Sequence, residues 1–142
     1  MPGDEVRAPG KMPRRATEGS AGFDLVSTQA FLLQPGEHVW APTGVRLEIP
    51  LGFYGIVTAR SSNWNYSLPT HVGIIDPDYR GQVFVGIGNG NQKPFEIEKG
   101  QKIAQITLTE TLPPGDDDFY FELRDALGET ERGAGGFGHT GK

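Results

Sequence analysis

Glycine holds 21 of the 142 positions and proline another 11, and this density limits the fold more than any other feature. It is roughly twice the usual glycine share. Both residues weaken a helix interior, glycine by its entropy and proline by its missing N–H. A helix bundle or coiled coil is therefore disfavoured, and a turn-rich β domain is expected. The glycines follow no Gly-X-Y period, which excludes collagen. The length suits one domain. Apolar residues make up only 36%, and a domain of this size buries about two-thirds of the surface its unfolded chain exposes. So thin a core implies that a partner subunit covers part of the apolar surface.

The chain has no cysteine, so disulfides, thiolate metal sites and thiol catalysis are ruled out. No stretch approaches the ~18 apolar residues of a membrane span. Met1 to Arg15 mixes charge with proline and lacks the apolar core of a secretory signal. A soluble, intracellular protein is the expectation. The formal net charge of -5 is a poor match for a polynucleotide backbone. It leaves room for a single nucleotide held by a few placed arginines.

Along the chain, residues 1–15 read as an exposed lead-in, 16–127 as the folded domain and 128–142 as an arm. Strands are expected at Ala21–Ala30 (with breaks), His38–Ala41, Val45–Ile49, Phe53–Thr58, Phe95–Glu98, Lys102–Leu108 and Phe119–Leu123, with turns at Gln34-Pro35-Gly36-Glu37 and Lys99-Gly100. Arg60 to Ser67 has room for one short helical turn. Val72–Ile75 and Gln82–Ile87 flank a Pro-and-Gly turn, and the pattern predicts that they pair as a hairpin. Strands at roughly ten-residue spacing point to an all-β barrel or sandwich. Six of the last fifteen residues are glycine, so the tail is a loose arm or a loop that orders on a ligand.

Four constellations carry chemistry. Arg60-Ser61-Ser62 follows a strand, and an arginine fork beside hydroxyls and free amides suits a phosphate; a solvated turn would read the same. Asp76 and Asp78 share a turn with Tyr79, where a carboxylate can polarise a water or hold a hydrated cation, or simply form the turn. Arg132 to Gly138 combines glycines that let backbone amides approach phosphates with Phe137, an aromatic suited to stacking on a base. Gln105, polar in an apolar strand, needs a hydrogen-bond partner, either a ligand or a backbone group.

Together with Ala21-Gly22-Phe23-Asp24-Leu25, these segments resemble the five ordered motifs of the trimeric dUTPases. The others are Ala59-Arg60-Ser61-Ser62, the run from Gly73 to Gly81, the run from Lys99 to Ile106, and the run from Arg132 to Gly141. The resemblance implies a jelly-roll-like distorted β-barrel with a glycine-rich C-terminal arm, assembled as a homotrimer whose active sites are shared. It implies hydrolysis of dUTP to dUMP and diphosphate with Mg²⁺, which limits uracil in DNA and supplies the precursor of dTMP. Asp76 matches the carboxylate that activates water, and Tyr79 the ring under the deoxyribose. The segment from Thr70 to Phe84, with Gly73, Ile74 and Ile75, matches the backbone that reads uracil. Arg60, Ser61, Ser62 and Gln105 match phosphate contacts. On the arm, Arg132 matches the γ-phosphate arginine and Phe137 the ring over uracil, beside Gly138, His139 and Thr140 at the phosphates. Asp24 matches a carboxylate that meets the metal through water, the ion being held mainly by the triphosphate.

The chain departs from that pattern at Ser62, where many members have glycine, at His139, where serine is usual, and over Asn63 to Val72, which carries Trp64 and Tyr66. Two other readings compete. A dCTP deaminase has a similar barrel but needs a proton-shuttling glutamate where this chain has Gly86. A dUTPase-like binding or regulatory module would have no need of intact Asp76, Tyr79, Arg60 and Arg132.

Overall fold

The computed structural model describes residues 10–113, 115 and 120–138. The elements are β1 (Phe23–Val26), β2 (Phe31–Leu33), β3 (His38–Arg46), β4 (Phe53–Thr58), α1 (Ser61–Asn65), β5 (Gly73–Ile75), β6 (Gln82–Gly88), β7 (Phe95–Ile97) and β8 (Lys102–Glu110). All pairings are antiparallel. One sheet runs β1-β8-β4-β5, and two-stranded sheets form from β2 with β7 and from β3 with β6. The all-β expectation holds. No helix among the described residues is long and apolar enough to cross a membrane.

The three sheets share one core. Leu25, Val57 and Ile106 come from the large sheet, Leu33 and Ile97 from β2–β7, and Val85 and Ile87 from β6. Each is almost fully buried, and burying such a side chain contributes about 1.5–3 kcal/mol. The turns lie where proline and glycine place them. Glu37 N–H donates to Gln34 O at 3.0 Å, with Gly36 at φ 81°. Gln101 N–H donates to Glu98 O at 3.1 Å, with Gly100 at φ 85°. Both glycines adopt a backbone that other residues resist.

Four expectations need correction. Val72–Ile75 and Gln82–Ile87 do not pair with each other. β5 pairs with β4 (Gly55 opposite Ile75), and β6 pairs with β3 (Trp40 opposite Gly86). Only the roots of the two runs meet, where His71 N–H donates to Gly86 O at 2.7 Å and Gly88 N–H to Pro69 O at 2.9 Å. The turn chemistry between them is real, but Val83, Val85 and Ile87 of β6 enter the core from the β3–β6 sheet. The two runs therefore splay apart.

Second, His38–Ala41 and Val45–Ile49 are not separate strands, since β3 runs continuously to Arg46. Its irregular stretch between Pro42 and Arg46 is bridged by side chains. Buried Thr43 Oγ1 donates to Val83 O at 2.7 Å, and Gly44 N–H donates to Gln82 Oε1 at 2.8 Å. Third, the stretch Ala21–Ala30 yields only β1, because Ser27 Oγ turns back to donate to Gln29 O at 2.6 Å. Fourth, of the expected strand Phe119–Leu123, residue 119 lies outside the described residues. Residues 120–123 form no strand, and Phe121 and Leu123 are exposed.

Candidate active site

Asp24 on β1 stands opposite Gln105 on β8, which in turn stands opposite Thr58 on β4. Residues opposite one another in antiparallel strands share a face, so the three form a row across the sheet. Two residues beyond Thr58, extended Arg60 caps the N-terminus of α1. Its Nε donates to Asp24 Oδ1 at 3.1 Å, and its Nη1 lies 3.4 Å from Ser62 Oγ. Asp24 Oδ2 pairs with Lys102 Nζ at 3.2 Å. The mostly buried carboxylate thus meets a cation at each oxygen, and those cations offset the cost of burying its charge.

Gln105 is not left without a partner, since its Nε2 donates to Ala59 O at 3.0 Å. Gly22 makes room for it: a Cβ there would lie 2.1 Å from Gln105 Oε1. Buried Asn63, to which the sequence assigned no role, ties α1 to this site. Its Nδ2 donates to Ile103 O and to Thr70 Oγ1, each at 2.9 Å. An asparagine inside a short helical turn was its only sequence signal. A cavity of about 540 Å³ opens beside Arg60, bounded by Asn63, Trp64, Leu68 and Pro69. Trp64 itself is largely exposed.

Asp76 follows β5 in an exposed turn, where Tyr79 N–H donates to Asp76 O at 3.1 Å. Tyr79 Oη donates to Gln82 O at 2.7 Å, which fixes the ring over Gly81. Arg80 braces the same turn by donating to Pro77 O at 2.6 Å. Gly73, Ile74 and Ile75 lie on β5, an edge strand with one neighbour, so one set of its backbone groups has no partner strand. Phe84 is half-buried on β6, opposite Pro42 in a different sheet.

The structure does not bring Asp76 and Arg60 together. Gly73 stands opposite Val57 and Ile75 opposite Gly55, so Asp76 lies near the start of β4, level with Tyr54. Arg60 lies beyond its end. At ~3.3 Å per residue, the two are on the order of 20 Å apart along the strand. The arm joins neither: Arg132 Nε donates to Gly135 O at 2.7 Å, within the arm itself, and Phe137 and Gly138 are exposed. His139 and Thr140 lie outside the described residues.

Among the described residues no group of three His, Asp or Glu could cage a metal ion. Asp24, with both oxygens engaged by cations, fits a metal only through water. Gly86, where a deaminase would need glutamate, is hemmed in, because a Cβ there would come within 2.9 Å of His71 Cβ and 3.1 Å of the Trp40 ring.

The model of the dUTPase family matches residues 8–141. The deoxyuridine 5'-triphosphate nucleotidohydrolase of Desulfitobacterium hafniense is 43% identical over 137 residues, covering 92% of this chain and 87% of that protein. The human mitochondrial one is 38% identical over 133 residues, covering 92% of this chain and 50% of that protein. The Staphylococcus bacteriophage 80alpha dUTPase with dUPNHPP superposes with a TM-score of 0.83 at 26% identity, covering 94% and 93% of the two chains. A mutant dUTPase of S. aureus phage phi11, described with a structural Mg(II) ion, shares the fold at 23% identity and a TM-score of 0.73. With nearly the whole length matched in sequence and in fold, this chain belongs to the dUTPase family.

Proposed function

We infer that the chain hydrolyses dUTP to dUMP and diphosphate, at sites that several copies of it build together. The separation of Asp76 from Arg60 along β4 carries the second half of this reading. A water-activating carboxylate and a phosphate-binding arginine on the order of 20 Å apart cannot serve one α-phosphate from within one chain. A neighbouring copy, in a homotrimer closed into a barrel-cored assembly, supplies the other half of each site. The arm and the segment before it, with Phe121, Leu123, Leu127 and, on the arm, Phe137 uncovered in the single chain, then find their cover on another copy.

In the shared site Asp76 accepts a proton from water as the water oxygen bonds to the α-phosphorus. The bond from that phosphorus to the bridging oxygen breaks, and diphosphate leaves with the electron pair. Arg60, Ser61, Ser62 and Gln105 take the developing charge on the phosphates, the contribution of pre-placed donors. The unpartnered edge of β5 at Gly73, Ile74 and Ile75 reads uracil with backbone groups, and Phe84 contributes to the same substrate site. Tyr79, held by its bond to Gln82 O, packs under the deoxyribose and leaves no space for a 2′-hydroxyl. The arm closes with Arg132, Gly138, His139 and Thr140 on the phosphates and Phe137 on the base, excluding bulk water. Asp24 would meet a triphosphate-bound Mg²⁺ through water, and the ion would supply charge stabilisation to the leaving diphosphate.

The test is release of diphosphate from dUTP, dCTP, dTTP and UTP with Mg²⁺ present, alongside molar mass by light scattering. Turnover confined to dUTP at the mass of three chains is expected. Deamination of dCTP, or an active monomer, would overturn the reading.

A further inference from the structure

We propose that Trp40 and His71 are positioning residues of the base-reading edge, their rings closing over Gly86 to fix the point where the chain crosses from the β3–β6 sheet to β5. This rests on the reading of β5 as the edge that takes uracil. β6 has β3 on one side, and on the other Pro69 to His71 runs along it. Gly88 N–H donates to Pro69 O at 2.9 Å, Thr70 bridges to Ile87, and His71 N–H donates to Gly86 O at 2.7 Å. Trp40 stands opposite Gly86 from the β3 side, so Trp40, Gly86 and His71 form one rank across the sheet. Two strand spacings, on the order of 10 Å, separate the outer two. Their rings meet because the middle residue is glycine, edge to face with centroids 5.4 Å apart and planes at 77°. A ring laid over a glycine in a sheet restores packing that the missing side chain forfeits.

His71 is the last residue before β5 that bonds to β6. Val72 makes the crossing, exposed, and Gly73 already stands opposite Val57 of β4. β5 is three residues long and has β4 on one side alone, so its bearing depends on how its root is held. The His71 backbone bond and the ring contact hold that root. Asp76 lies past the opposite end of β5, in a turn with bonds of its own. Arg80 donates to Pro77 O, Arg46 Nε to Arg80 O at 2.6 Å, and Tyr79 Oη to Gln82 O. Loosening the rings therefore shifts the edge that reads the base and leaves the carboxylate in place. Trp40 is 43% exposed, so removing its ring opens no cavity in the core.

The experiment compares wild type, Trp40→Ala, Trp40→Phe, His71→Ala and the double alanine variant. Calorimetry measures two probes with Mg²⁺ present: the imido analogue of dUTP, which carries the base, and inorganic triphosphate, which does not. Trp40→Ala is expected to weaken the analogue about fivefold, the scale of an aromatic pair, and to leave triphosphate unchanged. KM for dUTP should rise with it while kcat holds, and Trp40→Phe should restore most of the affinity. His71→Ala should match Trp40→Ala, and the double variant should lose no more, because both rings act through one contact. Wild-type affinity of Trp40→Ala for the analogue would overturn the proposal. A parallel loss for analogue and triphosphate, or a fall in kcat at unchanged KM, would overturn it equally, by showing a general structural role. If the ring variants weaken the analogue selectively yet the wild type leaves dUTP intact, the hydrolase reading fails and this one stands.

Discussion

Gly22→Ala tests how tightly the row of Asp24, Gln105 and Thr58 is built. Gly22 does not have the positive φ that favours glycine, so the backbone accepts alanine and only the methyl group matters. That methyl would sit 2.1 Å from Gln105 Oε1, whereas non-bonded atoms settle at about 3.5 Å. The amide must therefore retreat by roughly 1.4 Å, and its 3.0 Å bond to Ala59 O is lost. Because the end of a side chain gives way, not backbone, the fold survives with a stability loss near 1 kcal/mol, the net worth of a hydrogen bond. Catalysis suffers more, since ~1 Å of misplacement can cost about 10²-fold. The assay is kcat and KM for dUTP in wild type, Gly22→Ala, Gln105→Ala and the double variant. If the methyl acts only through Gln105, adding Gly22→Ala to Gln105→Ala changes nothing further, and the cycle shows strong coupling. Additive losses, or wild-type kinetics in Gly22→Ala, would refute the reasoning.

Asp76→Asn should lower kcat by roughly 10²–10⁴-fold while the imido analogue of dUTP still binds; near-normal turnover would move the base elsewhere, with Asp78 the first suspect. Asn63→Ala removes both donors from Ile103 O and Thr70 Oγ1 and strands a buried carbonyl. It should cost about 1–3 kcal/mol, read as a lowered denaturant midpoint, and an unchanged midpoint would dismiss Asn63 as an anchor. A chain ending at Glu129 lacks Arg132 and Phe137; light scattering should still show the assembly while turnover nearly vanishes, and surviving activity would remove the arm from the mechanism.

Much of this protein was legible without a fold. Proline beside glycine placed the turns at Gln34–Glu37 and Lys99–Gly100, because φ preferences act within three or four residues. The short helical turn after Arg60 and the five ordered motifs were equally local, and they sufficed to identify the family. Which strands lie side by side was not local. β5 and β6 flank a sound turn yet join different sheets, because a strand's partner is decided by which pairing buries its apolar face. Nor could spacing show that Lys102 faces Asp24. One irregular pair in β1–β8 reverses the alternation, and the gain from burying Ile103 and Ala104 together exists only once the core is assembled. Sequence order also set Arg60 and Asp76 sixteen residues apart without revealing that β4 holds them at its opposite ends. Residue types and their order therefore determined the chemistry this chain carries. Long-range burial, which no local window contains, decided that Arg60 and Asp76 lie at opposite ends of β4 within one copy.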